Sequence, residues 1–187
     1  MLKNYKIIEL FEDFFLKSIR NIDKKKIYKF GQILLSIKKK KKKILIFGNG
    51  AGQSISNHFA VDLTKNSNIK CLSFSEGNHI TCYANDYGFF NWILKTINKF
   101  YEKDDLVILI SSSGESKNIL NAAKFCKKKG IKFITFSGFK KNNKLSNYGE
   151  INFWVNSLSY NIVEVTHLYI LLVAVDFCKG KLFYSNN

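Results

Sequence analysis

A chain of 187 residues, 46% apolar and 15% aromatic, is neither disordered nor fibrous and has room for one domain with a sizeable core. Its formal net charge of +16 points toward polyanions, yet of the 30 basic residues only Arg20 is an arginine, so the guanidinium fork that reads bases is nearly absent. With no proline and much Lys, Asn, Ile, Phe and Tyr, the composition looks like that of an AT-rich coding sequence, and nucleic acid is not the expected partner.

The first segment, Leu2–Ser18, has apolar residues at three- and four-residue spacing and predicts a helix. Glu9, Glu12 and Asp13 interrupt its apolar residues and no small-residue cleavage site follows, so it is a poor signal peptide. No apolar run approaches the roughly 20 residues of a membrane span. The expectation is a cytoplasmic chain that meets no membrane. A second helix, Lys24–Lys38, leads into the lysine run 38–43, read as a solvated helix end where cations suit the dipole rather than as a polyanion patch.

Five short apolar runs follow: Lys43–Phe47, Lys70–Phe74, Leu106–Ile110, Lys132–Phe136 and Ile151–Val155. Helical patterns over 53–65, 90–101, 117–129 and 160–178 separate or follow them. Strand alternating with helix, with strands apolar throughout, predicts a five-stranded parallel sheet covered on both faces, an α/β three-layer sandwich. The chain reads as a single domain over 1–187, with 1–41 a helical pair whose apolar first helix is suited to packing on another subunit. Cys71, Cys82, Cys126 and Cys178 lie far apart, with no C-x-x-C, and are expected to be separate thiols.

In an open parallel sheet, ligands sit beyond the carboxyl ends of the strands. Two loops there are polar and glycine-rich. The first, Gly48–Ser54, reads "GNGAGQS"; position 53 is Gln, the G-x-G-x-x-G pattern is incomplete, and no Gly-Lys-Ser/Thr follows. Dinucleotide and Walker-type sites are therefore not expected. The second, "SSSGESKN", places Ser111, Ser112, Ser113 and Ser116 around Gly114 at a strand-to-helix junction. Serine hydroxyls and the amides of a helix N-terminus make a cradle for phosphate. One serine would be explained as a helix cap; four are more than capping needs.

The segments "FGNGAGQSISNHFAVDL", "ANDYGF" and "ISSSGESKNILNAAKFCKKKGIKFITFSG", in this order, resemble the sugar isomerase (SIS) family of phosphosugar-binding domains, and within it the phosphoheptose isomerase branch. The likeness spans nearly the whole chain and extends to the DNA-replication initiator-associating protein, which works through a protein partner. It implies a flavodoxin-like SIS fold, a homotetramer, and isomerisation of sedoheptulose 7-phosphate to D-glycero-D-manno-heptose 7-phosphate for nucleotide-heptose and surface polysaccharide synthesis. By the same likeness, Asn49, Gly50, Ala51, Gly52, Asn85, Asp86, Glu164 and the four serines would hold the sugar phosphate. Gly52 stands where the branch has a serine.

At the chemistry the chain departs from the branch. Its usual glutamate is Asp62 here, and with His167 aligned to the first histidine of the last helix, Leu172 falls where the catalytic histidine belongs. Aldose–ketose isomerisation needs a base on one face and an acid for the oxygens. Asp62 with His79 is the candidate pair. His58, Asp62 and Glu164 are the positions that hold zinc in some members; His58 and His167 read equally as ordinary half-buried histidines. A phosphosugar-binding protein that acts through a partner, without catalysis, is the alternative to the isomerase.

Overall fold

The computed structural model describes residues 2–183. Helices α1 (Leu2–Arg20) and α2 (Lys24–Lys39) precede strand β1 (Ile44–Phe47). Then follow α3 (Ala51–Ser67), β2 (Cys71–Ser73), α4 (Gly77–Tyr87), α5 (Trp92–Phe100), β3 (Leu106–Ser111), α6 (Lys117–Lys129), β4 (Phe133–Ser137), a 3-10 turn over Lys144–Asn147, β5 (Ile151–Trp154) and α7 (Tyr160–Lys179). All strands are parallel, in the order β2-β1-β3-β4-β5, with Ile44 level with both Cys71 and Leu106, and Ile134 level with Ile151. This is the expected α/β sandwich with its five-stranded sheet.

Strands buried on both faces explain the unbroken apolar runs: every residue of β1, β3 and β4 is buried. One face carries α2, α3 and α7 over a core that includes Phe30, Phe59, Phe136 and Phe153. The other face packs Trp92 and Ile93 of α5 and Ile119 and Ala123 of α6 on Phe47, Val107 and Leu109. α1 lies outside, against α7, and leaves Tyr5, Ile7, Ile8, Phe11 and Phe14 exposed.

Two expectations need correction. Residues 77–87, for which no helix was expected, form α4; it has no buried residue, so no apolar stripe announced it. And α7 is apolar enough, at a mean hydropathy of 1.6 over its window, to cross a membrane by length and composition, although no such run was expected. Half of that window is buried inside the protein, against α2 and α3, which accounts for its character as a core helix. All four cysteines are free, as expected.

Candidate functional site

β1 and β3 are adjacent, so their carboxyl ends bring the two polar loops together. The junction is tied by a reciprocal amide pair: Asn49 Nδ2 donates to Asn118 Oδ1 and Asn118 Nδ2 donates to Asn49 Oδ1, each at 2.9 Å. Asn118 was not singled out from the sequence; it ends the quoted serine stretch, and its partner lies 69 residues away. A Cβ on Gly48 would collide with the backbone of Gly52 and Gln53, which is why the first turn of α3 can close so tightly on β1.

The serine loop is shaped by Gly114, at φ 70°, where any side chain would run into Asn143. Asn143 is buried and donates to Gly138 O and Lys140 O, while Leu145 N donates to Gly114 O at 3.1 Å. Glu115 adds an ion pair with Lys144 at 2.7 Å, which holds its carboxyl below the usual range. The loop is thus braced from below by the segment after β4.

Ser116 precedes α6 but makes no side-chain capping bond; its hydroxyl accepts from Ser111 Oγ at 3.1 Å. Ser112 Oγ donates to Glu164 Oε1 at 3.2 Å, and Ser113 Oγ accepts from Glu115 N. Ser111 Oγ also accepts from Ser116 N at 3.4 Å, so the hydroxyls bond one another, Glu164 and the loop amides just before α6.

Asn49, Gly52, Ser111, Ser112, Ser113, Ser116 and Glu164 line one cavity of about 130 Å³, closed by Ile110 and Tyr160. Seven residues singled out from the sequence therefore meet in space. Tyr160, at the start of α7 and packed on Phe139 at 4.7 Å, was missed; a tyrosine one residue past a cap serine gives no sequence signal of its own. Beside the cavity, Glu164 also borders a shallow groove of about 440 Å³ that holds Ala51, Ser54 and Phe11. Gly50, with φ 53°, forms the turn between.

The other candidates lie elsewhere in the chain. Asn85 and Asp86 are exposed on the last turn of α4 and bond to each other at 3.1 Å. Asp62, on α3, pairs with His58 Nε2 at 3.1 Å. His79 lies in an aromatic cluster, 4.3 Å from Tyr83 and 5.4 Å from Phe74 between ring centroids. Its Nε2 is 2.9 Å from Thr96 Oγ1, whose own proton goes to Trp92 O, so the imidazole donates there and Nδ1 carries the lone pair. Burial lowers its pKa. His167 is fully buried, donates from Nε2 to Ser137 O at 3.1 Å, and is pushed down to about 4 by desolvation.

The zinc donors do not converge. His58 and Asp62 face each other while Glu164 faces Ser112, and among the described residues no three His, Cys, Asp or Glu side chains gather at one point. The residues of one chain do not fit the metal, and no step below passes through it.

These features define an α/β domain with a serine-lined cavity at the carboxyl ends of its strands. The chain belongs to the SIS domain family, whose model matches residues 13–138. It is 30% identical over 169 residues to the phosphoheptose isomerase of Fusobacterium nucleatum, covering 88% of this chain and 87% of that one. It is 29% identical over 185 residues to that of Histophilus somni, covering 91% and 94%. The solved phosphoheptose isomerase of Francisella tularensis superposes with a TM-score of 0.86 at 23% identity, over 96% of this chain and 97% of the other, which is a likeness of fold.

Proposed function

We propose that this protein binds a sugar phosphate and interconverts its ketose and aldose forms, with sedoheptulose 7-phosphate and D-glycero-D-manno-heptose 7-phosphate as the pair. The single observation that carries the reading is the cavity lined by Ser111, Ser112, Ser113 and Ser116, where Ser116 makes no side-chain capping bond to α6. The names of the curated relatives support the choice of substrate.

The reaction takes a proton from the hydroxyl-bearing carbon beside the carbonyl, forms an enediol, and returns the proton to the former carbonyl carbon. The carbonyl oxygen gains a proton as the neighbouring hydroxyl loses one. Asp62 and His79 do not line the cavity; its ionisable side chains are Glu164 and Tyr160. In this reading Glu164 carries the carbon-bound proton and the Tyr160 hydroxyl serves the oxygens. The exposed apolar side of α1 packs on a second copy, toward the homotetramer expected of the family.

One observation favours a second reading, sugar-phosphate binding without turnover. None of the three histidines lines the cavity: His58 is held by Asp62, His79 by Thr96, and His167 by Ser137. Proton NMR of sedoheptulose 7-phosphate with the protein in D₂O separates the two. New heptose signals, or deuterium entering beside the carbonyl, are expected for the isomerase. Ligand broadening without either would leave a binding protein, and no broadening at all would remove both.

A further inference from the structure

The net charge of +16 is not spread over the molecule. The loops at the site end of the sheet, residues 48–56, 74–92, 111–118, 138–146 and 156–165, hold four lysines and four carboxylates. At the opposite end, where helices finish and strands begin, the runs 38–43, 65–70, 99–105, 127–132 and 176–181 hold sixteen lysines, against four carboxylates there and Glu150 beside them. One end is neutral, and the other carries a net +11 of the total +16. A compositional bias toward lysine would load both ends alike. Helix C-termini favour a lysine or two each, which does not account for an unbroken run over 38–42.

The acids at this end are already engaged. Lys43 pairs with Asp105 at 2.8 Å and Glu102 at 3.2 Å, Lys40 with Asp104 at 3.9 Å, and Lys132 with Glu150 at 4.0 Å. Lys38, Lys39, Lys41, Lys70 and Lys103 are exposed. Beside them, directly after α7, Leu182 is 66% and Phe183 83% exposed. Lysines are point charges that suit any phosphate, and two bare apolar side chains have no use for a nucleic-acid backbone but insert readily among acyl chains.

We propose that the strand-N-terminal end is a docking surface for an anionic lipid bilayer: lysines of α2, α6 and the α7 end lie over the headgroups and Leu182 and Phe183 enter the interface. The sugar-phosphate cavity, at the far end of the sheet, then faces away from the membrane. The surface does not depend on the isomerase reading.

The test is co-sedimentation of the full chain with vesicles of phosphatidylcholine alone or mixed with phosphatidylglycerol, at low and at physiological salt. Salt-sensitive binding to the mixed vesicles only is expected. K38Q/K39Q/K41Q should weaken it by about a hundredfold, since each lysine near such a surface is worth about fivefold. L182S/F183S should weaken it by about tenfold or more with the salt dependence kept. K140Q/K141Q, at the neutral end, should change nothing. Equal binding to both vesicle types, or an equal loss from the Lys140 and Lys141 pair, would overturn the proposal. So would tighter binding to single-stranded RNA that ignores L182S/F183S, which would give this end to nucleic acid.

Discussion

In Glu164→Gln, a neutral amide replaces the carboxylate that accepts from Ser112 Oγ at 3.2 Å. The size, and one accepting oxygen, are kept. A phosphate oxygen taking over the Ser112 hydroxyl at a hydrogen-bond length of about 2.7 Å would lie about 5 Å from the Glu164 oxygen. Two unit charges at that separation repel by about 3 kcal/mol at an effective dielectric of 20 and by under about 1 kcal/mol in bulk water. Glu164 is half-buried, so about 1–2 kcal/mol applies, and the variant should bind inorganic phosphate about tenfold more tightly. The same substitution removes the proposed proton carrier and should lower kcat with sedoheptulose 7-phosphate by about a hundredfold or more. Calorimetric titration with phosphate and NMR turnover read the two effects separately. Phosphate affinity unchanged in Glu164→Gln would refute the placement of phosphate on the serine loop; unchanged turnover with tighter phosphate would refute only the role of Glu164 as base.

Ser113→Ala, in the cavity, should weaken sugar-phosphate binding more than Ser54→Ala, in the neighbouring groove, by titration calorimetry. Gly114→Ala places a side chain at φ 70° against Asn143 and should cost about 2 kcal/mol or more in urea unfolding, with loss of phosphate binding. Gly52→Ser meets only ordinary contact, 3.4 Å from Ile110 Cγ2, so it should fold normally and tighten sugar-phosphate binding by restoring a hydroxyl. His167 has a folded pKa of about 4, below its ordinary 6.5, so the unfolded chain binds the extra proton first. Stability is then full above pH 6.5 and falls toward pH 4, by up to about 3 kcal/mol, a loss that His167→Gln should abolish in urea midpoints measured across that range.

The elements most legible in the chain were those whose burial is one-sided or complete. β1, β3 and β4 read as strands because both faces are covered, and the serine loop was legible because its four hydroxyls sit within six residues. α4 was not, because it buries nothing. Nor were Asn118 as the partner of Asn49, or Tyr160 as a cavity wall, since each meets the site only through strand order. The charge on the lysine run 38–43 was legible, but its gathering with the α6 and α7 ends was not, because it follows from parallel strands bringing helix C-termini to one edge.

The same geometry bears on how an isomerase of this family would work with leucine at position 172. A histidine elsewhere does not compensate from within the chain: each of the three is held by a partner that fixes its place away from the cavity, and His167 also sits where a positive charge would be costly. Asp62 pairs with His58 at 3.1 Å and does not line the cavity. What is left at the cavity is one carboxylate and one phenol four residues apart on α7, each reaching the wall from a helix that is anchored in the core by Ile162, Val163 and Thr166. Rigid support of this kind is what proton transfer requires, because a displacement near 1 Å costs on the order of a hundredfold in rate. Tyr160→Phe is therefore the complement of Glu164→Gln: it should leave phosphate affinity unchanged and reduce turnover. Full turnover in Tyr160→Phe would place the oxygen-serving acid outside this cavity, on a neighbouring copy.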